Sequence, residues 1–431
     1  MFTTDELIRV VKGTPFRVKR GVVKGISCDS RTIKKGMAFF ALKGKRFDGH
    51  NFLLQAKKKG AVVCIAEKRV DNIPTILVRD TLKALGDLAA YYRRKFKVRV
   101  VAITGSNGKT TTKNLIASLL SINHKVLKSP RSYNNLIGLP LTLLKLKSHD
   151  IAVVEMGMSG KGEIKRLCRI ADPEIGVITN IGPAHLEFLK DMERVREAKL
   201  ELLEYLKDKG MGIVNGDDRL LKDLRKRGNI YTFGIYEPAD LRPERIELGT
   251  ESTRFWIKGE EYRIGLLGLH NVYNSLASLL CAELIERKRD SLWRRVLRDM
   301  KPEPMRTQIY RRRGITIIND AYNANPYSMR SAFQVLSLFY NKRRIAVLGD
   351  MKELGESSER FHKEIGREAG RIADIVVAVG DQARFYNGLY FKTKREAMRF
   401  LRGLLKPGDV VLIKGSRATR MEEIAASIMR G

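Results

Sequence analysis

The 431-residue chain carries 82 Lys plus Arg against 48 Asp plus Glu, a formal charge of +34. With 43% hydrophobic and 30% charged residues it is globular, which excludes wholesale disorder, and no apolar run approaches the ~18 residues of a membrane span. The basic residues are spread along the chain without a tail. This reads as a solvated, Lys-rich surface that attracts an acidic substrate, with no nucleic-acid partner expected.

The opening MFTTDELIRVVKG has no basic-then-apolar leader pattern, so a cytoplasmic protein is expected. Residues 1–80 hold the strand-like runs MAFFAL, AVVCIA and TILV around a helical stretch near 51–60. Residues 81–300 contain the apolar strand VRVVAIT, then DIAVVEM, EIGVITN, a helix from Asp191 to about Asp208, and MGIVN. That alternation predicts a parallel sheet covered by helices. The stretch LRPERIELGTESTRFWIKGEEYRIGLL alternates apolar and polar residues and predicts an antiparallel add-on. KPEPMR at 301–306 has two prolines and reads as a linker and hinge. Beyond it, GITIIND, RRIAVLGD, ADIVVAVG and DVVLIKG alternate with helices, the pattern of a Rossmann-like doubly wound sheet. The expected fold is α/β with three domains, at 1–80, 81–300 and 301–431. Cys28, Cys64, Cys168 and Cys281 are far apart with no CxxC, so neither a disulfide framework nor a zinc site is expected.

The strongest local signal is VRVVAITGSNGKTTTKNLIASLL, residues 98–120. A strand enters a Gly-rich turn and then a helix with apolar Leu115, Ile116, Leu119 and Leu120. Glycines let the backbone wrap an anion, and the helix N-terminus offers free N–H groups. Gly105, Ser106, Asn107, Gly108, Lys109, Thr110 and Thr111 are therefore the predicted nucleotide-binding loop. Lys109 reaches the β/γ-phosphates and Thr110 holds Mg²⁺. The phosphate-loop pattern has Gly where this chain has Ile103. Glu155 ends an apolar strand, where a side chain reaches the rim of a parallel sheet. In the helix DMERVREAKLELLEYL, Val195, Leu202, Leu203 and Leu206 stand at i−4, i+3, i+4 and i+7 from Lys199, which places Lys199 on the buried seam. Asn271 and Asn274 share a helical face at i, i+3.

A phosphate loop lacking its first Gly and reading TGSNGKTTT resembles that of the Mur ligases and the related folylpolyglutamate and cyanophycin synthetases. The resemblance extends over nearly the whole chain. DSRTIKKGMAFFALKGKRFDGHNF, YNNLIGLPLTLL, EMGMSGKGEI, TNIGPAHLEFL and LGLHNVYNSLAS follow in the family's order. NDAYNANPYSM, LGDMKELGE and IKGSRATRMEE resemble the branch that adds a dipeptide; the Asn-Pro-Arg acceptor motif of the tripeptide-making branch is missing.

The resemblance implies an ATP-dependent carboxylate–amine ligase acting through an acyl phosphate. It would couple D-alanyl-D-alanine to UDP-N-acetylmuramoyl-tripeptide in peptidoglycan precursor synthesis, with ATP and Mg²⁺ as its cofactors, and a monomer is expected. It further implies that Lys109, Lys199 and His185 are catalytic and that Thr110, Glu155, His185 and Lys199 hold metal, Lys199 as a carbamate. Asn271, Asn274, Arg306 and Asp320 would lie on the nucleotide side. The UDP substrate would meet Ser30, Arg31, Gly44, Asp48, His50, Asn134 and Asn135. The incoming dipeptide would meet Asn323, Asn325, Ser328, Lys414, Ser416 and Arg417, with Lys414 or Arg417 holding its carboxylate. The rival readings are the tripeptide-making Mur ligase, a folylpolyglutamate-type synthetase and, more distantly, a nucleic-acid-stimulated ATPase.

Overall fold

The computed structural model describes residues 2–44, 47–130, 133–184 and 186–430. The chain divides into two compact units: Met1–Ala102 with Asn123–Met158 and Gly162–Glu174, and Ile103–Ile122 with Ser159–Lys161 and Ile175–Gly431. No helix among the described residues is long and apolar enough to cross a membrane.

In the first unit, a five-stranded sheet runs in the order Thr14–Phe16, Thr75–Leu77, Val63–Ala66, Met37–Phe40, Gly25–Ser27. All its pairs are parallel except the Thr14–Phe16 edge. Phe39, Cys64 and Ala66 pack on Leu53 and Ala56 of the helix Leu53–Lys58, so the predicted runs MAFFAL and AVVCIA share one core with that helix. Val126–Lys128 pairs in parallel with Ile151–Glu155, a strand buried along its whole length that ends at Glu155. Continuous apolar runs of this kind suit strands covered on both faces.

In the second unit, Ile175–Ile178, Met211–Asn215 and Ile230–Phe233 lie side by side in parallel register. Arg245–Leu248, Thr253–Ile257 and Glu260–Ile264 form the expected antiparallel sheet. The last six-stranded sheet has the order Gln308–Arg312, Ile315–Asn319, Val410–Lys414, Arg344–Gly349, Ile375–Val379, Leu389–Phe391. Only its first pair is antiparallel. The four runs predicted as strands form its centre. The two edge strands escaped prediction because QIYRR is polar and LYF is three residues long, both usual for sheet edges. The helix Pro326–Ser337 starts with Pro326 at its first turn and a reciprocal cap between Asn325 and Ser328.

Candidate active site

The phosphate loop leaves the strand Arg99–Thr104 and enters the helix Lys109–Leu120. Gly105 and Gly108 have φ of 140° and 83°, in the region that favours glycine. A Cβ on Gly105 would stand 1.9 Å from Thr179 Oγ1, and one on Gly108 2.3 Å from Asn274 Oδ1. The loop is thus packed too closely for side chains at those two points. Its shape is held from the strand end at Thr179–Asn180. Asn180 Oδ1 accepts from Asn107 N–H (3.0 Å), Thr179 Oγ1 donates to the Asn107 carbonyl, and Ser106 Oγ donates to Gly182 O (2.9 Å). Lys109 Nζ folds over the loop and donates to Gly105 O (2.7 Å) and Ser106 O (3.3 Å).

Arg306 reaches the start of the same helix. Its Nη2 donates to Thr110 Oγ1 (3.1 Å), and its guanidinium lies 3.8 Å from the Tyr322 ring centre. Glu303 accepts from Asn114 Nδ2. The 301–306 segment is therefore tied to the phosphate-loop helix by side chains as well as by the chain. Asn107 and Asn325 exchange amide hydrogen bonds, 2.9 and 3.4 Å, which joins the loop to the cap of the helix Pro326–Ser337.

Asn271 and Asn274 are buried on one helical face, as their spacing predicts. Asn274 Nδ2 donates to Asn271 Oδ1 (3.0 Å), and Thr112 Oγ1 donates to Asn274 Oδ1 (3.3 Å). His270, beside them, is partly buried; desolvation above all lowers its pKa to about 4, so the ring is neutral. Its Nδ1 has no partner among the described residues. One cleft brings together Asn107, Gly108, Thr111, Asn271, Asn274, Arg306, Asp320, Asn323, Ser328 and Lys414.

Lys199 is 2% exposed, and Val195, Leu202, Leu203 and Leu206 are buried with it, as the seam requires. Among the described residues its ammonium makes no hydrogen bond or ion pair, and its pKa falls well below the ordinary value, first through burial and then through Lys109. His185 lies outside the described residues. Glu155, in the first unit, is 2% exposed and accepts from Asn134 Nδ2 (2.8 Å); Asn135 Oδ1 accepts from Gly138 N–H (2.8 Å).

Lys414 differs from expectation. It is 2% exposed, paired with Asp320 Oδ2, and donates to the Asn323 carbonyl (3.0 Å). Asp320 Oδ1 accepts from Thr307 N–H (2.9 Å). The two charges are therefore paired with each other, whereas Arg417 is exposed and paired with Glu422 (2.7 Å). Lys414→Met should lower stability by about 3 kcal/mol, read as a fall in Tm, because it strands the Asp320 carboxylate. Arg417→Ala should leave Tm nearly unchanged. Ser416 is buried, and its Oγ accepts from Lys352 N–H (2.8 Å).

In the first unit, Ser30 Oγ donates to Gln55 Oε1 (2.6 Å), and Arg31 forms a forked pair with Asp29. Gly44 N–H donates to Phe47 O (2.8 Å). Asp48 accepts from both His50 N–H and His50 Nδ1, while His50 Nε2 accepts from Glu67 N–H. The His50 ring is thereby oriented by its own turn.

Sequence reasoning missed Thr179, Asn180, Tyr273 and Glu303. Thr179 and Asn180 follow the strand Ile175–Ile178, so the strand-end argument applied to Glu155 would have found them. Tyr273 donates to Asp217 Oδ2 (2.7 Å), a contact between distant segments with no local signal.

Residues 22–93 match the Mur ligase family catalytic domain, 103–282 the Mur ligase middle domain, and 305–417 the Mur ligase glutamate ligase domain. A Bacillus subtilis UDP-N-acetylmuramoyl-tripeptide–D-alanyl-D-alanine ligase is 37% identical over 99% of this chain and 98% of its own length. The chain belongs to the Mur ligase family. The Escherichia coli protein of the same name is 33% identical to this Mur ligase, over 94% of the chain and 93% of the relative. A crystal structure of MurF from Acinetobacter baumannii superposes with a TM-score of 0.94 at 34% identity, covering 100% of this chain and 99% of that one. MurF ligase from Thermotoga maritima, solved in complex with ADP, gives 0.87 at 32% identity, covering 95% and 97%.

Proposed function

We propose that this Mur ligase couples D-alanyl-D-alanine to a UDP-N-acetylmuramoyl-tripeptide, with ATP converted to ADP and phosphate, in cytoplasmic peptidoglycan precursor synthesis. The observation that carries this reading is full-length similarity to ligases of that name, joined to a phosphate loop of the required form.

A carboxylate is a poor electrophile, and joining it to an amine needs a better leaving group than oxide. Phosphoryl transfer from ATP to the tripeptide carboxylate gives an acyl phosphate; attack by the neutral dipeptide amine releases phosphate. In our reading the loop amides and Lys109 hold the nucleotide phosphates. Lys109 would exchange the Gly105 and Ser106 carbonyls for phosphate oxygens. Asn271 and Asn274 fix the helix start on the nucleotide side, with Arg306 and Asp320 from the far side of the 301–306 segment. Asn323, Asn325, Ser328, Ser416 and Arg417 form the acceptor edge. Ser30, Arg31, Gly44, Asp48, His50, Asn134 and Asn135 serve the UDP substrate. The domain boundaries are proposed near residues 80 and 300.

Mg²⁺ takes oxygen ligands, and in our reading the Thr110 hydroxyl and an anionic Lys199 carbamate would supply two of them; Glu155 and His185 remain proposed ligands from the family resemblance alone. When bound, Mg²⁺ supplies charge neutralisation between carboxylate and γ-phosphate. The carbamate is supported by the buried Lys199 amine, whose lowered pKa favours the neutral form that combines with CO₂.

The acyl-phosphate route is tested with a tripeptide substrate whose terminal carboxylate carries ¹⁸O. One labelled oxygen should appear in the inorganic phosphate released. Unlabelled phosphate would exclude the route.

A further inference from the structure

This inference rests on the reading that the carboxyl edge of the last sheet receives the dipeptide. Three adjacent strands, Ile315–Asn319, Val410–Lys414 and Arg344–Gly349, end there, the edge where open α/β sheets bind ligands. The turn Asp350–Leu354 follows the third strand and carries the LGDMKELGE string. Its backbone is anchored at two successive amides. Lys352 N–H donates to Ser416 Oγ (2.8 Å), and Ser416 Oγ lies 3.3 Å from the Ala324 carbonyl. Met351 N–H donates to His362 Nε2 (3.0 Å).

His362 is wholly buried in the helix Ser358–Ile372 and is absent from every role assigned so far. Its Nδ1 lies 2.7 Å from the Ser358 carbonyl, which fixes the tautomer: Nδ1 donates, and Nε2 keeps the lone pair that Met351 N–H uses. The ring packs 4.9 Å from Tyr386, whose hydroxyl donates to the Gly349 carbonyl at the same strand end (3.0 Å). Asp350 is fixed separately by the Gln382 and Ala383 amides and by Lys352 Nζ. The turn therefore keeps its carboxylate anchor when the His362 contact is lost, and what changes is the path of Met351 and Lys352.

We propose that His362 is a positioning residue for the acceptor edge: it holds the Asp350–Leu354 turn through Met351 N–H and thereby seats Lys352 N–H on Ser416, without touching substrate itself. A buried N–H deprived of its acceptor drives the turn to another path.

The test measures ADP release by the full chain with ATP, UDP-N-acetylmuramoyl-tripeptide and D-alanyl-D-alanine. His362→Phe fills the space without an acceptor; the dipeptide KM should rise about tenfold, with the ATP KM and kcat within about twofold. His362→Gln places an amide oxygen near the Nε2 position and should return the dipeptide KM to within about threefold of wild type. An unchanged dipeptide KM in His362→Phe, or equal defects in both variants, would overturn the proposal. If His362→Phe does not fold, His362→Ala decides: free imidazole added to this variant must lower its raised dipeptide KM selectively, and a KM that is wild-type or unresponsive to imidazole overturns the proposal. A wild-type chain that ignores the dipeptide would defeat the underlying reading as well, a result separable from the variant series.

Discussion

Lys109→Ala should fold normally and lose ATP-dependent turnover by at least about 10³-fold. The Lys109 ammonium sits over the loop on the Gly105 and Ser106 carbonyls, the one loop side chain able to bring positive charge to a bound phosphate. Removing it leaves the packing that shapes the loop untouched, since Thr179, Asn180 and Asn274 supply that from outside. The Tm should therefore shift by only a few degrees while ADP release disappears. Turnover near the wild-type rate would refute the phosphate-loop assignment. Thr110→Ala should instead weaken the response to Mg²⁺ and leave nucleotide binding largely in place.

The second large effect concerns Lys199. Lys199→Met should be nearly inactive and, at neutral pH without bicarbonate, more stable than wild type. The sign follows from linkage. Burial lowers the folded-state pKa, so the unfolded chain binds more protons across the interval up to the ordinary Lys value of about 10.4. Wild-type stability should rise with pH through that interval, and the advantage of the Met variant should shrink toward its upper end. Bicarbonate should stabilise only wild type, by drawing the neutral amine into a carbamate. Carbon-13 NMR with labelled bicarbonate should show a carbamate signal in wild type and none in Lys199→Met, and added formate or acetate should partly restore Lys199→Ala. An active enzyme without the signal, or an active Lys199→Met, would sink the assignment.

The parts legible in the sequence were those written in local patterns. The GSNGKT turn, the Lys199 seam, the i, i+3 asparagine pair and the strand–helix alternation beyond residue 306 all depend on near neighbours. Pairings between distant segments were not legible. Lys414 looked like a free cation because Asp320, which neutralises it, lies 94 residues earlier. Asn107 looked like a loop residue alone, although its amide pairs with Asn325 across 218 residues. His362, at a buried helix position, gave no signal until Met351 was placed against it. Periodicity identifies the buried face of an element and carries no information on which buried polar group meets which.

The most direct test of the central claim is an acceptor panel read by ADP release and by product mass. D-alanyl-D-alanine with UDP-N-acetylmuramoyl-tripeptide should be used, in preference to meso-diaminopimelate or L-lysine with the UDP-muramoyl-dipeptide, or glutamate with a folate. The product should gain the mass of the dipeptide less water. DNA and RNA should leave ATP turnover unchanged. Preference for a single amino acid with the UDP-muramoyl-dipeptide, activity only with a folate, or turnover driven by nucleic acid would contradict the account.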